Sequence, residues 1–216
     1  SSWSPDADLD LSPQAQLLLN KLYSSDPLFD LSAQTVAEMS EKMDGRMSAG
    51  AASGAWSLAR FAADRLNEET RIAAFSIGGW DTHRDQNSNL PAALQQLSTA
   101  ILTLKRNLGT NWSRTSVLGL TEFGRTVREN GSGGTDHGTG GAMVMAGGAL
   151  KGGRVYGRWP GLGERDLYQD RDLNPTTDVR AFAAWVLRDM FSLRRSAIET
   201  VIFPGLDMGD NPGLIL

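Results

Sequence analysis

The hydrophobic positions of this chain change their spacing near residue 70. Before that point apolar residues recur three or four positions apart, which predicts amphipathic helices at residues 12–23, 32–43 and 55–66. The third of these helices is expected to bury Trp56. The pattern therefore predicts a helical N-terminal segment, residues 1–66, that caps a sheet or covers its edge.

Beyond residue 70 short apolar runs alternate with longer helical patterns. The runs at residues 72–77 and 116–120 are rich in β-forming residues and predict buried parallel strands. Residues 91–108 lie between them and predict a helix that Gly109 ends. A right-handed crossover through this helix would make the two strands parallel neighbours or near neighbours.

The same alternation continues toward the C-terminus. Further strands are predicted at residues 142–146 and 154–156, and a last helix is predicted after a cap at Thr176 or Thr177. Strands that alternate with helices indicate an α/β layered fold with a mainly parallel sheet, here over residues 67–216.

Polar residues follow the first two predicted strands. Asp81 and His83 come just after residues 72–77, Glu122 follows residues 116–120, and His137 stands in the Gly-rich loop behind it. Parallel strands end at one edge of a sheet, so these carboxylate and imidazole groups predict a metal or phosphate site there. The alternative interpretation is two polar loops that carry the His residues without forming a shared site.

Three further residues near this edge carry candidate chemistry. Asp136 precedes His137 directly, and adjacent side chains cannot easily ligate one ion together, so we expect Asp136 to orient His137 from outside the coordination sphere. Arg125 and Arg128 are cations that could bind the oxygens of a phosphate or sulfate group. Their alternative role is a salt bridge to Glu122 or Glu129.

Composition narrows the classes of function. A net charge of -4 gives no reason to expect nucleic acid or an anionic membrane as a partner. No apolar run is long enough to predict a membrane span. The chain contains no Cys, which excludes disulfides and thiolate metal sites.

Several motifs together resemble a known family over about residues 71–204. They are GGWDTH, TEFGRT, GTDHG, the run GGALKGGRVYG, and WPGL followed by RDL and TTDVRA. In order and spacing they resemble the bacterial family called domain of unknown function 1501, which is similar in turn to the sulfatase and alkaline phosphatase superfamily.

The resemblance implies an alkaline-phosphatase-like, three-layer α/β/α sandwich with a metal site at the carboxyl ends of the strands. Members of the family are longer than this chain, so we expect the sheet to be incomplete here. They are typically exported, commonly by a twin-arginine signal, which implies a periplasmic or extracellular protein.

The resemblance also implies one or two divalent metal ions, with Zn, Mn, Mg and Ca as candidates. Asp81 and His83 match the first ligand motif of the superfamily, Glu122 the second, and His137 the last. Phe123 stands where the superfamily has a His, and no strand that would carry a nucleophile is evident before residue 71. Three serines are candidate nucleophiles by residue type alone: Ser48, Ser53 and Ser57.

Two hypotheses about function follow. In the first, the protein is a metal-dependent hydrolase of phosphate or sulfate esters, with a small-molecule or glycan ester as substrate, and needs an N-terminal half that this chain lacks. In the second, it is a non-catalytic exported binding or scaffold protein that keeps the fold and at most one metal.

Overall fold

The computed structural model describes residues 54–216. The three principal helices are α1 (Ala55–Leu66), α2 (Gln86–Leu108) and α3 (Val179–Phe191). The strands are β1 (Val117–Gly119), β2 (Gly124–Arg125), β3 (His137–Gly138) and β4 (Val144–Ala146). Shorter helical turns cover Gly109–Arg114, Glu164–Asp166, Arg195–Ala197 and Ile198–Ile202. The two helices predicted before residue 54, together with Ser48 and Ser53, lie outside the described residues.

Helices α1 and α2 pack together through small residues. Helix α1 has the predicted bounds, and it buries a stripe of alanines that includes Ala59 and Ala63 against Leu104 and Leu108 of α2. Small side chains at a helix contact let the two backbones approach closely. Trp56, expected to be buried, is instead 40% exposed, because the alanine stripe occupies the packed face of α1 and Trp56 lies off it.

Helix α2 is longer than its pattern predicted. It begins at Gln86, after Asp85 in a left-handed conformation, and contains Pro91, which was expected at its start. Pro is favoured in the first turn of a helix, and this preference placed the predicted start too late. The end is as predicted, because Gly109 follows the last helical residue with a φ of 52°.

Strand β1 pairs with β4 in antiparallel register, with Leu118 opposite Met145. Val117 packs against the α1–α2 cluster, whereas Leu118 packs against a second cluster around α3. Adjacent side chains of a strand point to opposite faces. The small β1–β4 sheet therefore has helical layers on both of its faces.

Two of the four predicted strands are absent from the described part of the chain. Residues 72–77 form no strand; Phe75 and Ile77 pack against the α1–α2 cluster, while Ile72 is 64% exposed. Residues 154–156 also form no strand, and Val155 is fully exposed. Residues 54–216 thus contain two small antiparallel sheets and no parallel one, and the three-layer parallel sandwich stays a prediction.

Helix α3 and the C-terminal segment form the second hydrophobic cluster. The N-cap of α3 is Asp178, one residue beyond the predicted Thr177, because its Oδ1 accepts a hydrogen bond from the backbone N–H of Arg180 at 2.9 Å. Trp185 donates its Nε1–H to the carbonyl of Met208 at 2.8 Å, which fixes the irregular segment to the helix. No helix within residues 54–216 is long and apolar enough to cross a bilayer.

Candidate metal centre

The two polar stretches singled out in the sequence meet at the start of helix α2. The backbone N–H of Thr135 donates to the Thr82 carbonyl at 3.2 Å, and the N–H of Gln86 donates to the Gly133 carbonyl at 2.8 Å. The hydroxyls of Thr82 and Thr135 both donate to Gln86 Oε1 at 2.8 Å. The Gly-rich loop is thereby fixed against the segment that carries Asp81 and His83.

This meeting depends on Gly134. A Cβ at that position would collide with the backbone of Thr82 and His83, since it would lie closer to their carbonyl oxygens than real Cβ atoms ever do. Gly131, in the same loop, has open space around its Cα. Gly134 is therefore required for the close approach of the two backbones, whereas Gly131 is not.

The centre of the site is the Asp81 carboxylate. Its Oδ1 lies 2.7 Å from His137 Nε2 and 3.0 Å from His83 Nε2. One ligating atom from each of these three side chains lies within 4.8 Å of the other two. Two ligands of one Zn ion are at most about 4.4 Å apart, since each bond is ~2.0–2.2 Å. The three groups fit a divalent cation with only small side-chain movements.

Asp136 orients one of these imidazoles. Its Oδ1 lies 3.1 Å from Nδ1 of His83, which leaves Nε2 of that ring directed at Asp81. A carboxylate on the far nitrogen of a ligating His is the usual support of such a ligand. The amide of Asn130 also donates to Asp136 Oδ1 at 3.0 Å. This hydrogen bond lowers the pKa of the Asp136 carboxyl below its ordinary value, and the smaller effect of the hydrogen bond with His83 acts in the same direction.

His137 is held by its surroundings on two sides. The Phe123 ring stacks on the imidazole with a centroid distance of 3.8 Å and so forms one wall of the site. Behind the ring, Arg171 donates to the His137 carbonyl at 2.8 Å. The buried Asp172 accepts from Arg171 Nε at 2.7 Å and from the Thr139 hydroxyl at 2.9 Å, which fixes the backbone on both sides of Gly138.

Arg125 contacts protein groups of the site itself. It donates to Asp81 Oδ1 at 2.9 Å and to the carbonyls of Trp80 and Thr135 at 2.6 and 2.8 Å. The hydrogen bond from His137 lowers the pKa of the Asp81 carboxyl, partial burial opposes this, and Arg125 lowers it further. Arg125 forms a salt bridge with Asp81, whereas the partners expected for such a bridge were Glu122 and Glu129. Its predicted role in binding an anion stays a prediction.

Glu122 and Arg128 lie apart from the three clustered side chains. Glu122 is exposed and is not a member of the cluster. The chain bends at Glu122, and it is the next residue, Phe123, whose side chain contacts His137. Arg128 donates to the Asp170 carbonyl at 2.9 Å and lies 3.5 Å from Glu164 Oε1.

Sequence reasoning missed Asn130 and the Arg171–Asp172 pair. Asn130 Oδ1 accepts from the backbone N–H groups of Ser132 and Gly134, and its amide also donates to the His83 carbonyl at 3.0 Å. An Asn ahead of Gly-Ser-Gly-Gly is a turn signal that could have identified it. Arg171 and Asp172 stand in one of the two Arg-Asp-Leu runs of the sequence, but nothing local predicts their contacts with His137 and Thr139, which lie 34 and 33 positions away in the chain.

Comparison with known proteins places the chain in a family. A family model described as a protein of unknown function (DUF1501) matches residues 6–202. No curated protein and no solved structure is significantly similar to the chain.

Proposed function

The chain belongs to the DUF1501 family, and on that premise we propose that it is a metal-dependent hydrolase of phosphate or sulfate esters. The observation that carries the proposal is the convergence of Asp81, His83 and His137, whose ligating atoms lie within 4.8 Å of one another. Carboxylate oxygen and imidazole nitrogen are the ligands that Zn and Mn accept in catalytic sites. These three residues would hold one divalent ion.

The ion would supply a Lewis acid that polarises the ester and lowers the pKa of bound water. The residues of the chain do the positioning. Asp136 keeps Nε2 of His83 directed at the ion, Phe123 fixes the His137 ring, and Arg125 orients Asp81. The Arg125 guanidinium also adds a positive charge beside the place where the anionic ester would lie.

The wider assembly is part of the same proposal. We expect an α/β/α sandwich that an additional N-terminal half completes, and strand β1 supports this because it already has helical clusters on both faces. We expect the protein to be exported and to be periplasmic or extracellular. Fractionation of cells that express the complete gene product tests it, and a cytosolic protein would contradict it.

A second candidate function is binding without catalysis. The observation that favours it is the exposure of Glu122 outside the cluster, which leaves the ligands of one ion rather than two. A protein of this kind would bind the cation and turn over no ester.

Titration calorimetry of the chain with Zn²⁺, Mn²⁺, Mg²⁺ and Ca²⁺ tests the metal site, and His137→Ala tests the assignment. We expect one cation per chain. The affinity loss for His137→Ala should be at least ~10–100-fold, because that is the loss typical of removing a residue that only orients a metal ligand. Glu122→Gln is the matched control and should bind as the wild type does. Absence of cation binding, or equal binding by His137→Ala, would exclude the site.

Turnover of 4-nitrophenyl phosphate and 4-nitrophenyl sulfate by the cation-loaded, complete protein separates the two functions. Hydrolysis that is lost in His137→Ala supports the hydrolase. Cation binding without turnover of either ester supports the binding protein.

A further inference from the structure

A cleft adjoins the candidate metal centre on the side of helix α2. Its volume is about 320 Å³, and Asp81 is one of the residues that line it. The other lining residues come from the loop before α2 and from the first three turns of that helix: Gly79, Thr82, Asn89, Ala92, Ala93 and Gln96. A ligand in this cleft would lie next to the carboxylate that holds the ion.

The lining of the cleft is uncharged apart from Asp81. Asn89 and Gln96 supply primary amides, which both donate and accept hydrogen bonds, as hydroxyl groups do. The Asn89 amide N–H₂ donates to the Arg84 carbonyl at 2.9 Å, which leaves its carbonyl oxygen as an acceptor. Within residues 54–216 the exposed amide of Gln96 has no hydrogen-bond partner of its own.

The walls between the amides are small and apolar. Ala92 and Ala93 present methyl groups, which suit the C–H face of a ring, and neither residue carries a charge that would favour an ionic ligand. A cleft of this volume is at the lower end of the range for ligand sites. Its size and lining together select a small, uncharged group with several hydroxyls.

We propose that the cleft between Asp81 and Gln96 binds the alcohol part of the ester, and that this part is an uncharged polyhydroxylated group the size of a monosaccharide. The assignment to the alcohol part rests on the proposed hydrolase function. The binding of a polyhydroxylated group in the cleft does not depend on it. Gln96 and Asn89 contribute most to the specificity, because a primary amide can both donate to a hydroxyl and accept from one. The Asp81 carboxylate only accepts, and the Thr82 hydroxyl already donates to Gln86.

The probe is methyl α-glucoside, which is neutral and contains no ester, titrated into the metal-free chain and followed by NMR. Cyclohexanol is the comparison ligand, since it has a ring of similar size and a single hydroxyl. Gln96→Leu removes the amide at nearly constant volume, and Ala92→Trp fills the cleft from an exposed position. Gln95→Leu, on the same helix and outside the cleft, is the matched control.

We expect the wild type and Gln95→Leu to bind the glucoside, and to bind it more tightly than cyclohexanol. Gln96→Leu should weaken glucoside binding about three- to tenfold, as expected for one or two lost hydrogen bonds, and Ala92→Trp should abolish it. Absence of glucoside binding, equal binding of cyclohexanol, or equal weakening by Gln95→Leu and Gln96→Leu would overturn the proposal.

Cation titrations of the same variants keep this result separate from the proposed function. Gln96→Leu should bind the cation as the wild type does, because its side chain is not a ligand. If no variant binds a cation, the hydrolase fails while the glucoside titrations still decide whether the cleft is a ligand site.

Discussion

At the scale of single residues, the Asp81 carboxylate is the point on which the site depends. Its Oδ1 lies 3.0 Å from His83 Nε2 and 2.7 Å from His137 Nε2, and it accepts a hydrogen bond from Arg125 at 2.9 Å. The residue types of this cluster were predictable from the sequence, because both His residues of the chain closely follow an Asp in the two polar stretches. The partner of Asp136 was not predictable, because it is the His of the other stretch rather than the adjacent one.

The role of Asp136 gives a prediction about cation affinity. Asp136→Ala should weaken cation binding ~10–100-fold, because His83 would lose the carboxylate that directs its Nε2 to the ion. Titration calorimetry measures the loss, and Glu122→Gln serves again as the unaffected control. A cation affinity that Asp136→Ala leaves unchanged would show that the Asp136–His83 contact has no part in binding.

The buried Asp172 gives a prediction about pH. The hydrogen bond from Arg171 lowers the pKa of the Asp172 carboxyl, burial opposes this, and the Thr139 hydroxyl lowers it further. Because the folded-state pKa is lower than the unfolded value of about 3.9, the carboxylate stabilises the fold above about pH 4, and this stabilisation is lost as the pH falls through the folded-state pKa. The difference in melting temperature between wild type and Asp172→Asn should therefore be constant near neutral pH and shrink below about pH 4. A difference independent of pH would contradict this.

At the scale of elements, the sequence pattern predicted the positions of the helices better than it predicted how the strands pair. Helices α1 and α2 were recognisable because their apolar stripes and the Gly after α2 are local signals. The sequence pattern also located strands β1 and β4. It did not predict that they pair in antiparallel register, since three-residue strands carry no local signal of direction. Residues 72–77 were predicted to form a buried strand because they are apolar. The exposure of Ile72 shows that an apolar run does not by itself indicate that a neighbouring element covers it.

The Gly-rich loop gives a prediction at this scale. Gly134→Ala should destabilise the protein by more than ~1 kcal/mol and weaken cation binding, because a Cβ there collides with the backbone of His83 and separates the two halves of the site. Gly131→Ala, in the same loop with open space around it, should change the free energy of unfolding by less than ~0.5 kcal/mol. Urea unfolding of both variants measures the difference, and equal effects would exclude close approach as the reason for Gly134.

At the scale of the whole molecule, the β1–β4 sheet lies between two hydrophobic clusters. Val117 belongs to the cluster of α1 and α2, and Leu118 to the cluster of α3 and the C-terminal segment. The alternation of strand and helix patterns predicted a layered fold with a mainly parallel sheet, and the three-layer sandwich stays a prediction, since the sheets of residues 54–216 are small and antiparallel. The packing of the C-terminal segment against α3 was not predictable from the sequence. Its Pro and Gly residues indicate an irregular chain but do not indicate which element it contacts.

The C-terminal segment can be tested through Trp185. Trp185→Phe should destabilise the protein by roughly 1–3 kcal/mol, because it leaves the Met208 carbonyl without its donor in a buried setting. Trp159→Phe is the control, since Trp159 is 69% exposed and should change the free energy of unfolding by less than ~0.5 kcal/mol. Urea unfolding decides the point, and a neutral Trp185→Phe would show that the segment is not fixed by this bond.

Asp81 and His137 are 56 positions apart in the chain, with the whole of helix α2 between them. A contact over such a distance forms only after the entropy of closing the intervening loop has been overcome, so the site should assemble late, once α1 and α2 have docked. Interactions that are absent from the folding transition state govern how fast a protein unfolds. We therefore expect Asp81→Asn to accelerate unfolding in stopped-flow experiments while leaving the refolding rate nearly unchanged.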